Sequence, residues 1–204
     1  MSKSLLTSTF RNAMECLIIL EIEKQLKKLP REIVDSINKA DVTAYSLNRL
    51  PPMYFTTQKG KIWQQRRSQK IADMISRVVS LGIKAAQRNN KIFSTPLHPS
   101  FKDNKAIIDR QKSILHEFNA MIPLATVEIE RQLKRLPNDL LRSINKVDVI
   151  AYTLNRLPPL YSTTREGWIW QQELAREKLI TMISRMVTLG IKAVQKNTRM
   201  FVQS

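Results

Sequence analysis

Two copies of one motif hold the residues best suited to chemistry in this 204-residue chain. DVTAYSLNRLPPMYFTTQKG runs over 41–60, and DVIAYTLNRLPPLYSTTREG over 148–167. In each, an arginine (Arg49, Arg156) precedes a rigid proline pair. A tyrosine (Tyr54, Tyr161) and two threonines (Thr56 and Thr57, Thr163 and Thr164) follow it. Arginine forks a phosphate bidentately and stacks on bases. Hydroxyls and loop amides complete a phosphate nest. Trp63, Trp168 and Trp170, one turn further on, offer stacking surfaces, and Lys59, Lys61, Arg66, Arg67 and Arg165 lie among them. Such interleaving suits a nucleotide ligand. A structural reading stands beside it, in which Asn48 or Asn155 satisfies helix-end carbonyls and the tyrosines cover the core edge. A second basic patch, Lys24, Lys27, Lys28 and Arg31, recurs as Arg131, Lys134 and Arg135. Lys28 and Arg135 are counted with the ligand-binding candidates as sources of positive potential.

Little else has the makings of catalysis. His98 lies between prolines and His116 has no counterpart in the other copy, so both read as surface residues. Cys16, the lone cysteine, sits in an apolar stretch and reads as a buried small side chain. Glu21 with Glu23, and Glu128 with Glu130, are two apart and do not face each other on a helix. One cysteine and two histidines do not make a four-ligand zinc site. Neither GxxxxGK[ST] nor GxGxxG is present. The expectation is a non-enzymatic protein without metal or cofactor.

The chain carries 34 Lys and Arg against 17 Asp and Glu, net +17, so its partner is expected to be anionic. DNA is among the partners that charge allows. The surplus is spread over both halves, so it decorates folded elements. The longest apolar stretch near the start, residues 16–20, is too short for a signal core or a membrane span. A cytoplasmic protein is the expectation.

These residues must be positioned by a duplicated unit. At an offset of 107, residues 21–65 and 128–172 share 30 of 45 positions. The match extends back to NAM at 12–14 and 119–121, and forward, after one inserted residue, to 74–89 and 182–197. Two copies cannot form a solenoid, so the pattern predicts an all-α fused dimer with a pseudo-two-fold axis. Predicted units are 1–92 and 105–204, joined by a linker at 93–104 within the unpatterned stretch 90–104. Copy one is expected to hold helices over 10–28, 31–38, 42–50 (with Asp41 as its N-cap or a first-turn residue) and 62–87, with a loop at 53–60. An extra helix over 105–121, broken or kinked at Pro123, leads copy two and makes the two lead-in helices inequivalent. Gly82 and Gly190, in mid-helix, read as sites of close helix–helix approach, across the interface among the options, or else as tolerated glycines.

The runs at 41–54 and 148–161, with the preceding QLKKLP and QLKRLP, resemble the signature of the ComFB-like (late competence) family, in its cyanobacterial branch. The resemblance covers about 12–89 and 119–197 and implies small, helical, dimeric units. It further implies a receptor for the cyclic dinucleotides c-di-GMP and c-di-AMP, linked to signalling and natural competence. Such a receptor would relay second-messenger level to a protein partner such as a transcription regulator. On that reading Arg49, Tyr54, Thr56, Thr57, Arg156, Tyr161, Thr163, Thr164, Trp168, Lys28 and Arg135 contact the ligand near the pseudo-two-fold interface. The zinc of the firmicute branch is not implied, since SINKAD and SINKVD stand where that branch has cysteines. The alternative is a nucleic-acid-binding or adaptor protein acting in gene regulation.

Overall fold

The computed structural model describes residues 10–88 and 118–202, the side chains of 65 and 197–202 excepted. The linker at 93–104 and most of the expected lead helix lie outside them. Copy one holds β1 (Arg11–Asn12), α1 (Ala13–Leu26), α2 (Arg31–Ser36), α3 (Lys39–Leu47), β2 (Tyr54–Phe55), α4 (Gln58–Gln69) and α5 (Ala72–Arg88). Copy two holds α6 (Met121–Leu133), α7 (Asn138–Ser143), α8 (Lys146–Leu154), α9 (Arg165–Lys178) and α10 (Ile180–Val202). The protein is all-α, as predicted; β1 and β2 pair antiparallel with Asn12 opposite Tyr54, and in copy two Asn119 bridges to Tyr161. No helix among the described residues is long and apolar enough to cross a membrane.

Local chemistry sets the helix ends. The Asn12 side chain accepts from Met14 N and starts α1, three residues later than expected. Asn38 caps α3, its carboxamide oxygen 2.9 Å from Ala40 N, and Asp41 takes the first-turn place of its two expected roles. That frees Asp41 for another task. Thr57 and Thr164 cap α4 and α9, accepting from the amides of Gly60 and Gly167. Of the expected loop at 53–60, residues 53, 56 and 57 are irregular, while 54–55 form a two-residue strand and 58–60 open α4. The helix predicted over 62–87 is two helices, α4 and α5, interrupted at Lys70 and Ile71.

Among the described residues, the entries to α1 and α6 are capped alike. Residues 118–120 are turn and bridge, and Asn119 caps Met121 N as Asn12 caps Met14 N. Pro123 sits in the first turn of α6, where its missing N–H is no loss. Cys16 is exposed on α1, not buried.

Each copy builds its own core from its first, third and last helices. In copy one Ile18, Ile22, Val42, Leu47, Val79 and Ile83 meet; in copy two Leu124, Ile129, Val149, Leu154, Val187 and Ile191 do. Gly82 lets α5 approach α3 closely. A β-carbon there would come within 3.1 Å of Tyr45 Cδ1 and 3.2 Å of Val42 Cγ1. Gly190 does the same against Tyr152 and Val149. Both approaches are within a copy, not across the interface. What joins the copies is an exchange. Tyr54 and Phe10 of copy one lie in the core of copy two, and Tyr161 of copy two lies in the core of copy one.

Candidate functional site

The exchange places the two tyrosine turns at a seam, and side-chain amides hold them there. Tyr54 N donates to Asn155 Oδ1 at 2.6 Å, and Asn155 Nδ2 donates back to Tyr54 O at 2.9 Å. Tyr161 N and O pair likewise with Asn48 at 2.7 and 2.8 Å. A carboxamide has the donor–acceptor pattern of a peptide group, so each asparagine pairs with the other copy's backbone as a strand would. Gln64 and Gln171 add a second donor to the Tyr54 and Tyr161 carbonyls. Asp41 accepts from Thr163 Oγ1 at 2.5 Å and Asp148 from Thr56 Oγ1 at 2.6 Å, each across the seam. Burial pushes the Asp41 carboxyl above its ordinary range, and the Thr163 hydrogen bond pulls against it.

At the centre the Tyr54 and Tyr161 hydroxyls are 3.0 Å apart. Asn119 Nδ2 donates to the first and Asn12 Nδ2 to the second. Tyr161 O–H donates to Glu15 Oε1 at 2.8 Å, so the proton between the hydroxyls comes from Tyr54. Burial pushes the Glu15 carboxyl up to about 8, against the lowering effects of the Tyr161 hydrogen bond and of Arg11. It raises both phenols as well, and the neighbouring Glu15 raises them further. This centre is a buried network that burial keeps neutral.

The seam opens into two equivalent clefts. One, of about 660 Å³, lies between the copy-one turn and α4 (Thr56, Thr57, Trp63, Gln64) and α8 and α10 (Asp148, Tyr152, Val194). Its counterpart, of about 480 Å³, lies between the copy-two turn and α9 (Ser162, Thr163, Gln171) and α3, Arg49 just past its end, and α5 (Asp41, Ala86). In each, one buried glutamine oxygen, Gln64 Oε1 or Gln171 Oε1, has no hydrogen-bond partner.

The structure therefore divides the sequence-derived candidates. Arg49 and Arg156 are exposed, and each guanidinium lies 3.5 Å over the ring of Tyr45 or Tyr152 while donating to that tyrosine's carbonyl. Thr56 and Thr57 line the first cleft and Thr163 the second. Thr164 serves as the α9 cap. Tyr54 and Tyr161 are buried, holding the seam from inside. Trp168 is half-buried, with its indole nitrogen buried and unpartnered. Lys28 and Arg135 are exposed at the far ends of α1 and α6 and line neither cleft.

Asn48 and Asn155 bind the other copy's backbone, a role sequence reasoning did not assign. Glu15, Gln64, Gln171 and the Asp–Thr pairs were also missed. Invariance between the copies marks all of these except Glu15, whose counterpart is Ile122.

The family description "Late competence development protein ComFB" matches the chain twice, over 11–90 and 118–198. The chain belongs to the ComFB family. The two matches coincide with the two cores, so each ComFB unit supplies the tyrosine that the other unit buries. No protein of curated function matches this ComFB chain significantly.

Proposed function

We propose that this ComFB protein is a non-enzymatic cytoplasmic receptor for a cyclic dinucleotide, c-di-GMP or c-di-AMP, and relays its level to a protein partner that regulates transcription. The observation that carries the reading is the pair of equivalent clefts flanking one pseudo-two-fold axis. A cyclic dinucleotide is itself two-fold, with two bases and two phosphates. Each cleft offers acceptors for base N–H groups in the unpartnered glutamine oxygen and a carboxylate. Arg49 and Arg156, stacked on Tyr45 and Tyr152 beside the clefts, are charged forks for phosphate. Because asparagine clamps already hold the loops, little ordering accompanies binding.

Calorimetric titration with c-di-GMP and c-di-AMP in parallel tests this, with duplex DNA as a third arm at two salt concentrations. Saturable binding of at least one dinucleotide is expected. Binding of neither, with salt-sensitive DNA binding, would replace the receptor reading with the nucleic-acid one.

A further inference from the structure

Helices α4 and α9 occupy equivalent positions and present equivalent solvent stripes, but the stripes have opposite charge. Positions 59, 62, 66 and 70 follow one another at three- and four-residue spacing, as do 59, 63, 66 and 70, and all five are exposed. The α4 stripe reads Lys59, Ile62, Trp63, Arg66, Lys70; the α9 stripe reads Glu166, Ile169, Trp170, Glu173, Glu177. All three charges reverse, while the apolar pair stays. Ile62 and Ile169 are 44% and 42% exposed, Trp63 and Trp170 59% and 60%. Arg67, beside Trp63, also becomes apolar Leu174, while Arg165 and Arg176 stand at the edges of the acidic stripe. Solvation alone would be served by either sign. Arg66, Lys70, Glu173 and Glu177 form no salt bridge with the described residues.

We propose that the α4 stripe of one molecule docks on the α9 stripe of a second copy of this chain. Set in register, Trp63 meets Trp170 while Arg66 and Lys70 meet Glu173 and Glu177. The apolar pair supplies the buried centre, and the charges select the partner stripe. Like stripes repel, so α4 does not pair with α4. The contact joins two different patches and is heterologous, so association closes into a ring or continues as a chain. This assembly does not rest on the receptor reading, although Trp63 also lines the first cleft.

Sedimentation velocity on the full chain over a concentration series, at about 50 mM and about 0.5 M salt, tests it. The average mass is expected to rise with concentration at low salt and fall towards one chain at high salt. Arg66→Glu/Lys70→Glu makes both stripes acidic, and Glu173→Lys/Glu177→Lys makes both basic. Each variant alone, with folding checked by circular dichroism, should associate at least about tenfold more weakly than wild type. Their equimolar mixture, and the quadruple variant, should associate again. A wild type that stays a single chain at low salt overturns the proposal, as do single-reversal variants that associate like wild type. Failure of the mixture to associate overturns it too. A single-chain wild type whose α4 stripe instead binds an oligonucleotide or anionic vesicles assigns the stripe to that partner and equally overturns it.

Discussion

The two sides of the tyrosine centre share the same asparagine hydrogen bonds and differ at Glu15. On both sides an asparagine, Asn12 or Asn119, caps a helix, accepts from the chain after the proline pair, and donates to the opposite copy's tyrosine hydroxyl. On one side alone Glu15 receives a hydroxyl proton; its counterpart is Ile122. Two facing phenols have two protons, and both asparagine amides donate. With isoleucine on both sides, the tyrosine that accepts its partner's proton would have no carboxyl for its own. With glutamate on both sides, two acids would share one buried centre. A homodimer must choose between these arrangements. A fused dimer can place one carboxyl on one side, so duplication lets the seam satisfy a network that strict two-fold symmetry would frustrate.

The most damaging way to break this comparison is to remove the exchanged ring. Tyr161→Ala should cost about 3–5 kcal/mol in urea unfolding, as for other buried aromatics. Because Tyr161 fills the core of copy one, amide exchange should accelerate in α1, α3 and α5 as well as at the mutated turn. Exchange confined to copy two would show that the cores are independent.

Glu15→Gln sharpens the same comparison through pH. The folded chain keeps the Glu15 proton up to about pH 8, whereas its ordinary value is 4.5. Its folded value being the higher, the stability present in full below pH 4.5 is lost as pH rises towards 8. Glutamine keeps an acceptor for Tyr161 and does not titrate. The variant should therefore lose that slope and, at about pH 8, exceed wild type by on the order of a few kcal/mol. Parallel slopes in urea titrations at acidic and mildly alkaline pH would refute the buried-acid account.

A smaller effect separates the two helix caps. A β-carbon at Gly167 would lie 2.5 Å from Ser162 Oγ and 2.9 Å from the capping Thr164 Oγ1, but at Gly60 nothing comes nearer than 3.3 Å. Gly167→Ala should disturb its cap and cost about 1 kcal/mol. Gly60→Ala should cost less, because Phe55 stands where copy two has Ser162. Thermal melts of the two variants decide it.

Much of the architecture was legible because the chain states it twice. The offset of 107 revealed the duplication, and the helix periods revealed the fold class. The seam was less so. Asn38 and Asp41 are both good caps by type, and choosing between them needs the knowledge that Asp41 has Thr163 to bind. Tyr54 reads as apolar with a polar tip, and periodicity does not say whose core receives it. The break at Lys70 and Ile71 has no proline or glycine to mark it. Cys16 sits in the five-residue apolar run that also supplies Ile18 and Ile19 to the interior, and it faces out only because that stretch is a helix with a wet side. The nucleotide-suited residues were visible by type, but only the exchange divides them into cleft-lining threonines and seam-holding tyrosines.

The receptor reading rests on arginines that stack outside the core, beside clefts lined by both copies. Calorimetry on the Arg49→Ala/Arg156→Ala double variant, with its melting temperature measured first, tests that directly. A charged hydrogen bond contributes about 1.5–3 kcal/mol, so cyclic dinucleotide affinity should fall by about tenfold to a hundredfold or more while the fold persists. An affinity equal to wild type in the folded double variant would contradict it.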